Sequence, residues 1–365
     1  GSTTISAGTL TLNKTTAGTN AISGNVITVN GGALRHNSAS ADNQIVDTAA
    51  LTISSGSVSF VGADETLASM SSSGGTSPTG NTSGAASNVT FTGAITIGGS
   101  GKVTVNSGGV LSAQTVTLNG TNSGIFESSG GNILIGGGAS PGTTVTQLLV
   151  GSGGLNMSGQ TIQINAATGT LPGSKIELGG DFTTTGNNNN VIGYSTPTGS
   201  TTPITPTTPA TLEIGSGTRN FTIAGTTLST AIGGASSTTR IALQVVSSSG
   251  TGVLTKAGQG QLILSGPNTY AGQTNVNQGI LRIQSGNALG TTAGGTVVAA
   301  GAGLQLEGGI TVGNEALSLT GTSNTASTSN VTAGLSNLSG NNTYGGPIAV
   351  NLTSGGNNNV RINSI

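Results

Sequence analysis

The chain has 365 residues, enough for one large domain or two to three ordinary ones, and its 9 basic and 10 acidic residues sum to a net charge of −1. They are scattered singly, so no basic footprint exists to displace counterions from a nucleic acid, and the absence of cysteine removes disulfides, thiolate metal sites and cysteine nucleophiles together. With 65 glycines, 5% charged and 2% aromatic residues, the composition excludes both a charged disordered tail and a thick core of large side chains, and favours something flat and elongated with small residues inside.

In chain order, GSTTISAGTLTL opens the sequence with two short alternating runs. The stretch Asp64-Glu65-Thr66-Leu67-Ala68-Ser69-Met70 is the best candidate for a helix. Residues 71–87 (SSSGGTSPTGNTSGAAS) read as a loop out of the repeating pattern. From Ala94 to Ile135 the β-rich runs Ile95-Thr96-Ile97, Val103-Thr104-Val105, Val110-Leu111, Val116-Thr117-Leu118, Ile125-Phe126 and Ile133-Leu134-Ile135 recur with Gly, Asn and Ser between them. Their alternation places apolar side chains on one face and threonine on the other, as in a half-buried strand. Three such runs span roughly 22 residues, a spacing that suits one coil of a solenoid. The lack of large aromatics and of long alternating strands argues against a sandwich or propeller. Residues 195–210 (STPTGSTTPITPTTPA) carry four prolines that cannot donate ladder hydrogen bonds, so they read as a second excursion. Asn187–Asn190 and Asn357–Asn359 are candidates for stacked amide ladders at corners, or for plain polar loops. No apolar run approaches ~18 residues, which argues against membrane insertion of this segment.

The stretch at 250–283, GTGVLTKAGQGQLILSGPNTYAGQTNVNQGILRI, contains a whole unit, and the opening twelve residues overlay on its second half, Gly1 on Gly272 through Leu10 on Leu281. Gly258 and Gly260 suit a sharp corner, and Asn268-Thr269-Tyr270 turns the chain again with one large ring to close a coil face. A degenerate copy begins at Ser339-Gly340-Asn341-Asn342-Thr343-Tyr344, within 339–365. The run from Leu254 through Gly272, continued by Thr274, Val276, Gly279 and Leu281, resembles the passenger-associated transport repeat, also called the autotransporter-associated β-strand repeat. The resemblance implies an all-β fold, a right-handed single-stranded parallel β-helix with three faces, running as one solenoid through residues 1–365. It also implies a segment of a larger protein displayed outside a bacterial cell as passenger, stalk or adhesin.

The search for chemistry gives no catalytic, metal or cofactor site. The aspartates Asp42, Asp47, Asp64 and Asp181 are not paired as glycoside chemistry requires, and the adjacent Asp64 and Glu65 point to opposite faces of a strand. His36, with Asp42 and Asp47 after it, makes a triad only on paper among so many serines. Gly138-Ala139-Ser140-Pro141-Gly142 is no nucleophile elbow, because Pro141 has no N–H for an oxyanion. Gly98-Gly99-Ser100-Gly101-Lys102 is followed by a strand where a phosphate loop needs a helix. Lys256 and Arg282 read as isolated cations on exposed strand faces. Tyr194, Tyr270 and Tyr344 are few for a sugar-stacking groove, the alternative function being carbohydrate binding or processing. Both ends of the sequence fall inside repeat units and complement each other, so self-association through solenoid ends is the expected partnership, beside contact with other surface proteins, glycans or a host surface.

Overall fold

Threonine-alternating runs become strands only if something covers their apolar side, and here each run is covered by the equivalent runs of neighbouring coils. The computed structural model describes all residues except 17–18, 37–41, 61–63, 75, 80–87, 100, 107–109, 119–131, 138–146, 165–173, 195–208, 226–236, 324–333, 353–357 and 365. Among the described residues there are strands and turns but no helix, and the strands pair parallel from coil to coil in nearly every ladder. The fold is an all-β parallel β-solenoid. The chain divides into two compact units, Gly1–Gly180 with Gly193–Thr211, and Asp181–Ile192 with Leu212–Ile365.

In the first unit each coil has three faces. One carries Glu65–Leu67 and the leading halves of Asn88–Ile97, Val110–Leu118 and Gln147–Met157, followed by Lys175–Leu178. The second carries Ser2–Ile5, the leading halves of Val26–His36 and Ala50–Phe60, Ser69–Ser72, and the trailing halves of the three bent strands just named. The third carries Thr9–Leu12, the trailing halves of Val26–His36 and Ala50–Phe60, then Thr76–Thr79, Lys102–Asn106, Asn132–Gly137 and Thr161–Ile164. Registers such as Ser2↔Val26 and Val26↔Ala50 make a coil of about 24 residues, close to the spacing in the sequence. The long strands bend at corners where neighbouring backbones almost touch. A Cβ on Gly56, at φ 86°, would stand 2.1 Å from the Gly32 carbonyl oxygen, so that corner admits only glycine.

Inside the second face the column Ile5, Val29, Ile53, Ser72, Ile97, Leu118, Met157 is buried throughout. Ser72 is the polar member, and its hydroxyl donates to the Gly74 carbonyl at 3.1 Å. Each fully buried Val, Ile or Leu contributes about 1.5–3 kcal/mol, and stacking supplies that burial without large aromatics.

The helix expected at Asp64–Met70 is instead two strands, Glu65–Leu67 and Ser69–Ser72, on consecutive faces. Their inward residues Glu65, Leu67, Met70 and Ser72 alternate with partly exposed ones, and ladder pairing on both sides outweighs a weak local helix preference. Residues 71–87 also differ from a pure loop, since Ser69–Ser72 and Thr76–Thr79 hold ladder positions before residues 80–87 leave the described part.

The second unit repeats the plan. Phe182–Thr184, Thr218–Thr222, Val253–Ala257, Thr274–Val276, Thr296–Val298, Leu317–Ser323 and Ile348–Leu352 stack on one face. Thr238–Ile241, Gln261–Leu264, Ile280–Ile283, Gly303–Glu307, Leu335–Ser339 and Ile362–Ser364 stack on the next. The third face is held by single backbone bonds as much as by strands, Thr269 N to Val245 O at 3.0 Å and Thr291 N to Tyr270 O at 2.9 Å.

Candidate functional site

The 250–283 stretch is the most distinctive part of the sequence, and its residues are spent almost entirely inside the solenoid. In Val253–Ala257 the inward column runs Phe182, Phe221, Lys256, Val276, Val298, Leu319, so Lys256 takes a core position between an aromatic ring and a valine. It is wholly buried. Its aliphatic stem fills the column while Nζ donates to the carbonyls of Ala257, Gly258 and Gln278 at 2.8, 2.8 and 3.0 Å, one acceptor for each ammonium proton. Desolvation pushes its pKa down to about 7. The surface reading of Lys256 is therefore corrected: period-2 alternation places position 256 inward, and the corner carbonyls supply the partners that water otherwise would.

That corner turns at Gly258, φ 73°, where a Cβ would lie 2.2 Å from the Ile223 carbonyl oxygen. Asn268, also buried, ties three coils together. Its Oδ1 accepts from Val245 N at 2.7 Å and its Nδ2 donates to Ala288 O at 2.6 Å. Tyr270 is fully buried, with its hydroxyl 2.7 Å from Thr274 Oγ1, which in turn donates to Leu289 O at 3.2 Å. Thr274 thus receives the tyrosine proton. Burial pushes the Tyr270 phenol well above its ordinary range.

Arg282 is also less free than its sequence suggests. Its Nε donates to Gln305 Oε1 at 3.2 Å and its guanidinium lies 3.6 Å from Glu307, while Gln284 donates to the same carboxylate at 2.7 Å. The outward side of these strands is therefore an internal polar network, with Gln261 and Gln305 both buried.

In the first unit, one pairing carries no signal in the sequence. His36, inward on the third face, and Glu65, inward on the first, meet inside the solenoid with Nε2 to Oε2 at 3.4 Å, both side chains fully buried. Glu65 also accepts from the backbone N–H groups of Gln44 and Ile45 at 3.1 Å each. Desolvation raises its pKa to about 7 despite these bonds, with nearby Asp47 adding to the rise. Asp64, as expected for its neighbour, faces the other way. It braces the next coil, accepting from Asn88 N at 2.6 Å and Asn88 Nδ2 at 3.0 Å. Asp181 does the same to Asn220 in the second unit, at 2.9 Å twice.

Other candidates fall into place one by one. Asp42 accepts from Asp64 N, and Asp47 from Asn43 Nδ2, both at 2.9 Å. Tyr194 is buried and accepts from Ala210 N at 2.7 Å, closing the base of the proline-rich stretch. Phe60, Phe91, Phe182 and Phe221 are buried as well, so among the described residues neither these rings nor Tyr194 and Tyr270 offer a face to a sugar. In the 187–190 run, the Asn188 carbonyl accepts from Ser237 Oγ at 2.8 Å and Asn189 Oδ1 accepts from Thr238 N at 3.2 Å, so both brace the next coil. Asn358–Asn359 pairs antiparallel with Thr322 and Ser323. Lys102 opens the strand Lys102–Asn106, and residues 138–142 lie outside the described residues. No group of three or more His, Asp or Glu able to hold a metal occurs among the described residues.

Comparison with known proteins agrees with the geometry. The model of the passenger-associated-transport-repeat family matches residues 1–12 and 254–283. A relative described as "Adhesin BmaC autotransporter", from Brucella suis biovar 1 (strain 1330), is 42% identical over 90 residues, which is 25% of this chain and 2% of that protein. No solved structure matches. Residues 1–12, forming Ser2–Ile5 and Thr9–Leu12, take the parallel two-strand arrangement that Thr274–Val276 and Ile280–Ile283 take in the whole copy. Residues 1–12 and 254–283 thus carry passenger-associated transport repeat sequence, and both stretches are built into a parallel β-solenoid.

Proposed function

We propose that this chain is a non-enzymatic, passenger-like segment of a bacterial adhesin, displayed outside the cell as a structural or adhesive β-solenoid. The observation that carries the reading is where the repeat spends its polar groups. Lys256, Asn268, Tyr270 and Thr274 all bond to backbone or to one another between coils, so the repeat builds a scaffold and leaves function to outward faces and loops. The adhesin relative supports the same role, though the matched stretch is only 2% of its length. Buried aromatics at Tyr194 and Tyr270 count against the carbohydrate-processing alternative, which needs exposed rings. The test is antibody labelling and protease shaving of intact cells producing the native protein, with attachment measured before and after deletion of these residues. Surface labelling with reduced attachment is expected; labelling only after permeabilisation overturns the reading.

A second reading, end-to-end assembly, is favoured by one observation. Ile348, Val350, Leu352 and Ile362 occupy inward registers, opposite Leu317, Leu319, Gly321 and Leu335, yet are 38, 48, 59 and 59% exposed. An apolar column of this kind accepts a further parallel coil, from a continuing chain or from a second copy. Val350→Lys is expected to abolish end-to-end contact in electron micrographs; filaments that persist in the variant overturn it.

A further inference from the structure

The second face of the first unit presents an unbroken outward ladder. The registers Thr4↔Thr28, Thr28↔Thr52, Thr52↔Ser71, Ser71↔Thr96, Thr96↔Thr117 and Thr117↔Asn156 align one short polar side chain per coil through seven coils. The parallel outward column beside it holds only small or uncharged residues, Ser2, Val26, Ala50, Ser69, Ala94, Thr115 and Gly154. Val26 is 46% exposed there. Among the described residues, none of the six ladder hydroxyls has a side-chain hydrogen-bond partner. The first face differs, for there Ser112 donates to Thr90 Oγ1 at 3.0 Å and Lys175 pairs with Glu177 at 2.7 Å. The third face carries Arg35 outward. The seven strand segments of the second face carry no charge at all.

A neutral, regularly spaced face presents no charge to repel an identical face. Its hydroxyls repeat at the inter-strand spacing of about 4.8 Å, and any partner must match that period to use more than one of them. A second solenoid of this sequence matches it by construction, and because every hydroxyl both donates and accepts, the ladder is self-complementary under a two-fold axis. We propose that the second face of the first unit is a lateral docking surface for a second copy of the chain. Seven rungs cover roughly 30 Å by 13 Å, about 400 Å² per copy, half of what a standard stable interface buries. The contact is therefore weak between two molecules and gains strength when many copies are displayed together. It uses different residues from the end-to-end contact and does not require an adhesive role.

Sedimentation velocity over a hundredfold concentration range tests this on the chain as it stands. Wild type is expected to associate reversibly with concentration, and Thr52→Lys with Thr96→Lys to weaken association at least tenfold. Leu149→Lys, on the first face, is expected to leave it unchanged, and repeating the series in a Val350→Lys background, which removes the open-column contact, is expected to give the same dependence on the threonine pair. Thr52→Val with Thr96→Val, which keeps the β-branched shape and removes two hydroxyls, is expected to weaken it too, and serves if the lysine pair unfolds by circular dichroism. A neutral face predicts association that survives 0.5 M salt. Monomer at every concentration, association retained in both threonine pairs in the Val350→Lys background, loss in Leu149→Lys, or dissolution by salt each overturns the proposal.

Discussion

The whole repeat at 254–283 and the degenerate copy beginning at Ser339 share a backbone plan and differ in what closes it. In both, an asparagine Oδ1 accepts a backbone N–H of the preceding coil at 2.7 Å, Asn268 from Val245 and Asn342 from Ile310. In both, the following threonine N–H donates to that coil, Thr269 to Val245 O at 3.0 Å and Thr343 to Ile310 O at 2.9 Å. The difference lies at the tyrosine. Four residues after Tyr270 stands Thr274, which receives its hydroxyl. Four residues after Tyr344 stands Ile348, and the Tyr344 hydroxyl is buried with no hydrogen-bond partner among the described residues. The asparagine amides diverge too, Asn268 reaching forward to Ala288 and Asn342 turning back to Ser339 O at 2.8 Å. What makes this motif a unit is thus a side chain bonded across coils, while the asparagine turn survives alone.

The comparison can be broken most directly by truncation. Tyr270→Ala empties a fully buried site and is expected to cost about 3–5 kcal/mol in denaturant unfolding, against about 1 kcal/mol for Tyr344→Ala, whose side chain is only partly buried. Equal losses would mean that the two copies are closed alike.

Lys256 has no counterpart in the degenerate copy, and its burial sets a pH signature. Its folded pKa, about 7, lies below the unfolded value of 10.5, so between these the unfolded chain binds more protons and stability rises with pH; below 7 the full cost of holding the charge remains. Thermal melts of Lys256→Met are expected to lose that rise, worth on the order of 1.4 kcal/mol per pKa unit. Glu65 in the first unit gives the opposite slope in another window. Its folded pKa, about 7, is raised above 4.5, so its contribution is full below 4.5 and is lost as pH rises to about 7. Glu65→Gln is expected to flatten the melting temperature between pH 4.5 and 7.

Smaller effects sharpen the tyrosine contrast. Tyr270→Phe leaves Thr274 without its donor and is expected to cost about 1 kcal/mol, whereas Tyr344→Phe removes an orphaned hydroxyl and is expected to be neutral or slightly stabilising. Ile348→Thr, which supplies the hydroxyl four residues on, is expected to recover a few tenths of a kcal/mol with Tyr344 and nothing with Tyr344→Phe.

The alternation in runs such as Ile95-Thr96-Ile97 fixed which side chains line the interior, and the three-run period made the coil legible, because side-chain direction in a strand depends only on parity. Parity also makes Lys256 inward in hindsight, but polarity made it look like a surface cation, since a buried lysine is acceptable only where three carbonyls converge. Those carbonyls, at Ala257, Gly258 and Gln278, come from two coils. The strands at 65–72 were hidden for a similar reason, as local propensity is silent about ladder partners on neighbouring coils.

The sequence by itself determined the periodic strands, the glycine corners and the repeat family, all of which are local patterns or direct sequence matches. Only the tertiary structure decided that His36 meets Glu65, that Tyr270 has a partner while Tyr344 has none, and that Thr4 through Asn156 form one ladder. Each of these depends on coil-to-coil register, which the lengths of corners and insertions set, and a shift of one residue in any coil would turn every such contact to the opposite face.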